Sequence, residues 1–107
     1  MAGKIKLPKP IGFEWDKGNS EKNVTKHKVK ITEGEEVFFN NPLLLYDKAH
    51  SQKEDRYLAF GITDNKRQLI VAFTLRGEEE KKIRIISVRG QDKKEKVYYQ
   101  THKKRVK

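Results

Sequence analysis

The 107-residue sequence has no cysteine and no long apolar run. Without cysteine the chain cannot form a disulfide, hold zinc through thiolates or attack a substrate through a thiol. No stretch approaches the roughly 20 apolar residues of a membrane span, and the N-terminus lacks the apolar centre of a signal peptide. We therefore expect a soluble protein that is not exported, and the absence of cysteine is compatible with a reducing cytoplasm.

Apolar residues are also scarce, since 35% of the chain is hydrophobic and 37% is charged. So large a charged fraction requires much of the chain to be solvated surface or tail. A length of 107 residues suits one domain with a modest core. We therefore expect a single compact domain with a thin core.

Acids are outnumbered by bases, and the net charge of +10 lies almost entirely at the two ends of the chain. Residues 1–10 carry +3, residues 93–107 carry +6, and residues 11–92 carry only +1. Basic ends of this kind attach to nucleic acid or simply keep a protein in solution, and charge alone does not separate the two. The predicted organisation is a flexible basic leader over 1–10, a folded domain over 11–100 and a basic tail over 101–107.

Hydrophobic periodicity, helix caps and breakers predict a mixture of helices and strands. We expect a strand over 11–15, a helix over 19–27, a helix that starts at a Thr32 capping box and stops before Pro42, a strand over 43–46, three strands over 56–63, 68–76 and 82–88, and a last helix capped by Asp92. Because short connections join the last three strands, these should form an antiparallel meander.

The strand pattern over 82–89 combines packing residues with two arginines. Regular alternation of side chains predicts two faces, with Ile83, Ile85, Ser87 and Arg89 on one and Arg84, Ile86 and Val88 on the other. The arginines either flank a purely structural strand or line an anion-binding concavity. A polar patch of the second kind would comprise Thr74, Arg76, Arg84 and Arg89. Regular alternation would keep Arg84 and Arg89 out of a common site unless the strand bends.

The polar loop over 47–55 contains three side chains that could in principle coordinate a metal, namely Asp47, His50 and Glu54. A transition-metal site usually needs three or four converging ligands. A solvated, charge-rich loop with one histidine does not specify such a site, so we expect no metal and no cofactor.

Taken in chain order, short motifs of this sequence resemble those of the BrnT toxins, RelE-like ribonuclease toxins of bacterial type II toxin–antitoxin systems. The matching pieces are Gly12-Phe13-Glu14-Trp15-Asp16, Asn23 with Lys26-His27, Val37-Phe38 with Pro42, Asp47, His50-Ser51, Glu54, Arg56 and Gly61, Thr74, Arg76-Gly77, Arg84-Ile85-Ile86-Ser87 and Arg89, and Glu95 with Tyr99. Two positions depart from the family pattern. Lys28 stands where a glycine usually ends a helix in a left-handed conformation, and Lys96 replaces an arginine.

The resemblance implies an α+β fold in which helices pack on one side of an antiparallel sheet. It also implies an endoribonuclease that cleaves RNA without a metal, since the RNA 2′-hydroxyl attacks the neighbouring phosphate, and that thereby inhibits translation. Guanidinium groups suit the negative transition state, and a histidine suits proton transfer near neutrality. The candidate catalytic residues are Arg84, Arg89, His27, Lys26 and Tyr99, and the candidate RNA-binding residues are Arg56, Arg76, Lys96 and His50.

The implied partners are RNA and a cognate antitoxin, usually a ribbon-helix-helix protein that would carry the DNA contact. A toxin homodimer within that complex and a cytoplasmic location are also implied. The alternative hypothesis is a noncatalytic module, which would bind nucleic acid through its basic ends or serve chiefly to dock the antitoxin.

Overall fold

The computed structural model describes residues 12–15, 28–77 and 82–103. Its elements are β1 (Gly12–Trp15), α1 (Ile31–Phe39), β2 (Leu43–Tyr46), a 3-10 turn (Lys48–His50), β3 (Tyr57–Ile62), β4 (Gln68–Arg76), β5 (Lys82–Gly90) and α2 (Lys93–His102). The predicted basic leader and the predicted helix over 19–27, with Lys26 and His27, lie outside the described residues. Within the described part of the chain, no helix is long and apolar enough to cross a membrane.

The five strands form one sheet in the order β1-β5-β4-β3-β2. Strands β2 to β5 pair antiparallel, which confirms the predicted meander. The expectation of a wholly antiparallel sheet is wrong, however, because β1 pairs with β5 in parallel. Most of the chain separates β1 from β5, so no tight turn forces the two strands to run in opposite directions.

Helices cover both faces of the sheet, which corrects the expectation of helices on one side. Strands β3 to β5 carry apolar side chains on both faces, and each apolar face must be covered. We call the two sides the α1 face and the α2 face after the helix that packs on each. The buried core of the α1 face consists of Val29, Val37, Ala59, Leu69, Val71, Phe73, Ile83, Ile85 and Val88.

The α2 face has a smaller core at one end of the sheet. Its buried members are Leu43, Leu45, Phe60, Ile70 and Tyr99. Tyr99 is 4% exposed, and the ring of Tyr98 lies 5.7 Å from that of Phe60. Helix α2 therefore docks through both tyrosines and covers only part of its face.

Helix α1 begins earlier than the capping-box pattern predicted. Lys30 is the N-cap, and its backbone N–H donates to the Glu33 carboxylate over 3.0 Å. Thr32 is thus a helical residue, because Glu33 rather than Glu35 occupies the third helical position that closes a capping box. The helix ends at Phe39, before Pro42, as predicted.

Upstream of α1, Lys28 adopts the left-handed conformation that the family pattern gives to glycine, with φ of +54°. Its carbonyl accepts a 2.9 Å hydrogen bond from Arg67, which compensates part of the cost of this conformation. Lys28 therefore takes the backbone conformation that the family pattern assigns to glycine at this position.

A β-bulge in β5 overturns the predicted division of its side chains. Phe73 of β4 pairs with Ile85, but Ala72 pairs with Ser87, so Ile86 is an extra residue. Alternation therefore restarts after Ile86. Ile83, Ile85 and Val88 all lie in the α1-face core, and Arg84, Ser87 and Arg89 share the α2 face.

Candidate functional site

The α2 face carries two groups of polar side chains, one at each end of β5. Register places Thr74 opposite Arg84 and Ile70 opposite Arg89. We call the region around Thr74, Arg76 and Arg84 the loop end, and the region around Arg89 and the start of α2 the helix end. At about 3.3 Å per residue, Arg84 and Arg89 lie roughly 15 Å apart along the strand. The two arginines lie on the same face, but they are too far apart to bind the same phosphate oxygen.

At the helix end, Arg89 and Glu95 form a bidentate ion pair with two N–O distances of 2.6 Å. Glu95 also accepts from the backbone N–H of Asp92, and Asp92 caps α2 by accepting from the backbone N–H of Glu95 over 2.8 Å. The hydrogen bonds from Arg89 hold the pKa of Glu95 below its usual range, and the same pair raises the pKa of Arg89. Arg89 thus anchors α2 to β5.

At the loop end, two buried polar atoms have no hydrogen-bond partner among the described residues. These are the hydroxyl oxygen of Thr74, a residue that is 1% exposed, and Nε of Arg76. The Nη2 atom of Arg76 donates to Glu54 over 3.1 Å, and this ion pair lies at the surface. The loop end therefore keeps two unsatisfied groups beside an exposed acid.

Arg56 adds a further cation near the same end of the sheet. The backbone N–H of Asp47 donates to the carbonyl of Arg56 over 2.8 Å, so the pairing of β2 with β3 extends to this residue. Alternation from Leu58, a member of the α2-face cluster, places Arg56 on the α2 face. The side chain of Arg56 makes no hydrogen bond to the described residues, whereas its backbone is held by Ser51.

The loop that follows β2 holds His50 in a defined orientation. Its Nδ1 lies 2.8 Å from the Asp47 carboxylate, and the side chain is 64% exposed. Glu54 accepts a hydrogen bond from Arg76 instead of joining this pair. Among residues 12–15, 28–77 and 82–103, no group of three or more histidine, aspartate or glutamate side chains could hold a metal ion.

The remaining candidates lie on α2. Tyr99 is buried in the α2-face core, and burial raises its pKa. Lys103 lies over the Tyr99 ring with Nζ 5.8 Å from the centroid. Lys96 is exposed on the helix surface. The contacts of Tyr99 are those of a docking residue, and Lys96 remains accessible to a partner.

Sequence reasoning overlooked the acidic partners of two candidate arginines. Glu95 could have been found, because Asp92 as N-cap places Glu95 at the third helical position, next to the end of the preceding strand. Glu54 offered no comparable signal, since 22 residues separate it from Arg76. In chain order Glu54 resembled a metal ligand, and only the sheet brings it to Arg76.

The comparison with known families decides the class of this protein. The profile described as "Ribonuclease toxin, BrnT, of type II toxin-antitoxin system" matches residues 15–95. The chain belongs to the BrnT family. It is therefore a ribonuclease toxin of a type II toxin–antitoxin system, with RNA as its target and an antitoxin as its partner.

The fold agrees with this membership of the BrnT family. The crystal structure of the Brucella abortus ribonuclease toxin, BrnT, is similar with a TM-score of 0.60 at 21% sequence identity. The match covers 77% of this chain and 97% of the Brucella chain. A search of curated proteins finds no match.

Proposed function

We propose that this toxin cleaves RNA without a metal ion and that the arginines of the α2 face bind the RNA phosphates. The observation that carries the proposal is the register of β4 and β5, which places Arg84 directly opposite Thr74 and on the same face as Arg76. A sheet face with several guanidiniums on one side suits a single-stranded polyanion. Arg56 and Lys96 extend the same positive surface, and we assign them RNA-binding roles.

The proposed reaction is attack of the RNA 2′-hydroxyl on the adjacent phosphorus, which displaces the 5′-oxygen of the next nucleotide. This step requires a base, an acid and positive charge for the pentacoordinate transition state. Arg84 supplies the charge, because a guanidinium stays ionised and its planar fork matches phosphate oxygens. We assign proton transfer to His27, with Lys26 and His50 as alternates.

Arg89 and Tyr99 are less suitable than Arg84 as catalytic residues. Arg89 could contact a phosphate only by exchanging its two hydrogen bonds to Glu95. Tyr99 lies in the core, and its raised pKa keeps the hydroxyl protonated, so it could act as an acid but not as a base near neutrality. Arg84 is therefore the first choice among the candidates that the structure describes.

Cleavage of a defined single-stranded RNA by the purified chain in excess EDTA tests the proposal. We expect fragments that end in 2′,3′-cyclic phosphate, because the 2′-oxygen is the nucleophile. Cleavage that stops in EDTA and returns with Mg²⁺ would contradict metal independence. Fragments with 5′-phosphate and 3′-hydroxyl ends would contradict attack by the 2′-hydroxyl.

We further propose a ribbon-helix-helix antitoxin as the partner, with a toxin dimer inside the complex and indirect DNA binding through the antitoxin. RNA cleavage by the free toxin would inhibit translation, and we propose a cytoplasmic location because translated RNA is found there. The membership of a type II system supports an antitoxin in general terms. Co-expression with the protein encoded alongside, followed by measurement of the mass of the complex, tests both the partner and the dimer.

A further inference from the structure

We infer that the Thr74 hydroxyl and Arg76 Nε together bind one non-bridging oxygen of an RNA phosphate at the loop end. The inference rests on the proposed function for the identity of the ligand. It gives Thr74 and Arg76 a shared contact that the predicted polar patch did not specify.

The two groups are exceptions to a strong rule. Buried polar atoms in folded proteins nearly always find a hydrogen-bond partner, because an unsatisfied one loses its hydration without compensation. Thr74 is 1% exposed, and neither its hydroxyl nor Arg76 Nε has a partner among the described residues. Two such atoms two residues apart on one strand face call for a common explanation.

Their surroundings select an anion as the ligand. Arg76 Nε–H can only donate a hydrogen bond, and the threonine hydroxyl can donate as well. Arg84 lies directly opposite Thr74, a position in which side chains of neighbouring strands are about 5 Å apart at Cβ. A cation would meet two guanidiniums here, whereas a phosphate oxygen would satisfy both unpaired groups.

An exposed ion pair provides the route by which an anion could enter. The pair between Arg76 and Glu54 has an N–O distance of 3.1 Å, with the side chains 42% and 49% exposed. Exposed pairs of this kind are weak and are screened by salt. A phosphate can therefore replace the Glu54 carboxylate as the partner of Arg76 and contact the hydroxyl of Thr74, two residues away on the same strand face.

Two substitutions at one position test the inference. Thr74→Val removes the hydroxyl and keeps the shape, and Thr74→Ser keeps the hydroxyl. We expect Thr74→Val to weaken binding of inorganic phosphate and to slow RNA cleavage, each by about tenfold, and Thr74→Ser to retain most of both. Because the valine variant no longer buries an unpaired hydroxyl, its melting temperature should equal or exceed that of the wild type.

Phosphate binding and RNA cleavage are both measured on the full-length variants. Phosphate titration followed by NMR reports binding whether or not the protein cleaves RNA, so failure of the proposed function is distinguishable from failure of this inference. Phosphate affinity and cleavage that are unchanged in Thr74→Val would overturn the inference. Thr74 would have a structural role instead if Thr74→Val melted at a lower temperature than the wild type and Thr74→Ser lost as much activity as Thr74→Val.

Glu54→Gln tests the exchange step, since it removes the competing negative charge and keeps the size of the side chain. We expect phosphate to bind several-fold more tightly to this variant than to the wild type at low salt, with the difference shrinking as salt is added. Asp55→Asn is the matched control, because Asp55 is the neighbouring acid and binds Tyr46 rather than an arginine. Equal phosphate affinity in Glu54→Gln and Asp55→Asn would contradict the exchange.

Discussion

The two ends of the α2 face use the same residue type in opposite ways. At the helix end, Arg89 donates to both oxygens of Glu95, and that glutamate also closes the cap of α2. At the loop end, Arg76 keeps a buried Nε without a partner in the described structure, beside the unpaired hydroxyl of Thr74. The charged side chains of the helix end satisfy each other, although the buried Oε1 of Gln91 has no partner among the described residues. The loop end is instead left with two donors for a ligand.

This contrast separates anchoring from binding better than charge does. Arg76 and Arg89 carry the same charge, and only their hydrogen-bond partners distinguish them. The pair between Arg89 and Glu95 joins β5 to α2, whose Tyr99 fills the α2-face core. Loss of the helix end should therefore cost stability first, and loss of the loop end should cost activity first.

The largest effect should come from Arg84→Ala. If this arginine stabilises the charge that develops on the phosphate, its removal should slow RNA cleavage by about 100-fold, as loss of one oxyanion donor does in other enzymes. Arg84→Lys keeps the charge without the fork and should recover only part of the rate. Single-turnover cleavage rates, normalised to the folded fraction from circular dichroism, measure this effect. A variant that is unfolded at the assay temperature would assign Arg84 to the core instead.

A smaller effect, on stability, should follow from Arg89→Ala and from Glu95→Gln. The pair is bidentate, but Arg89 is 45% exposed, so solvent screens the interaction and each change should cost about 1 to 2 kcal/mol. For a chain of this size each kilocalorie corresponds to roughly 4 to 8 °C in melting temperature. If the pair acts as a unit, the double variant should lose little more than either single one. Additive losses of stability would contradict a direct interaction between Arg89 and Glu95.

The same pair should give stability a dependence on acid pH. The pKa of Glu95 is lowered in the folded state, first by its hydrogen bonds with Arg89. A lowered carboxyl pKa stabilises the fold above the unfolded value of about 4.3, and this stabilisation is lost as pH falls through the folded pKa. Thermal melts below about pH 4.5 should therefore show a shallower decline in Glu95→Gln than in the wild type. Identical slopes would mean that the ion pair contributes nothing to acid stability.

Local patterns in the sequence were sufficient to predict the antiparallel meander, the end of α1 before Pro42 and the helix cap at Asp92. Each depends on neighbours within a few residues, where periodicity and turn chemistry act directly. The parallel pairing of β1 with β5 was out of reach, since strand direction between distant segments leaves no local trace. The start of α1 was misplaced by two residues, because the N-cap is Lys30, a residue that no capping pattern selects, and only the Glu33 carboxylate closes the cap.

The candidate site was predictable in composition but not in geometry. Thr74, Arg76, Arg84 and Arg89 could be named as one polar patch, yet regular alternation put the last two on opposite faces. The bulge that unites them depends on packing, because only an extra residue lets Ile85 and Val88 both enter the α1-face core. A β-bulge of this kind cannot be predicted from the hydrophobic pattern of a single sequence.

The smallest effect should come from deletion of Ile86, the extra residue of the bulge. Removal of this residue restores regular alternation and leaves Ile85 and Val88 on the α1 face and Arg84 and Arg89 on the α2 face. We therefore expect a folded protein that still cleaves RNA, with a loss of about 1 kcal/mol or less from one half-buried side chain.

Deletion of Val71 provides the matched control, because no bulge lies opposite it to absorb the change. That deletion turns every following side chain of β4 to the other face, which sends Phe73 out of the α1-face core and should unfold the protein. Circular dichroism and thermal melts of the two deletion variants make the comparison. If both deletion variants were unfolded, β5 would have no extra residue at Ile86. Arg84 and Arg89 would then have to be assigned to opposite faces of the sheet.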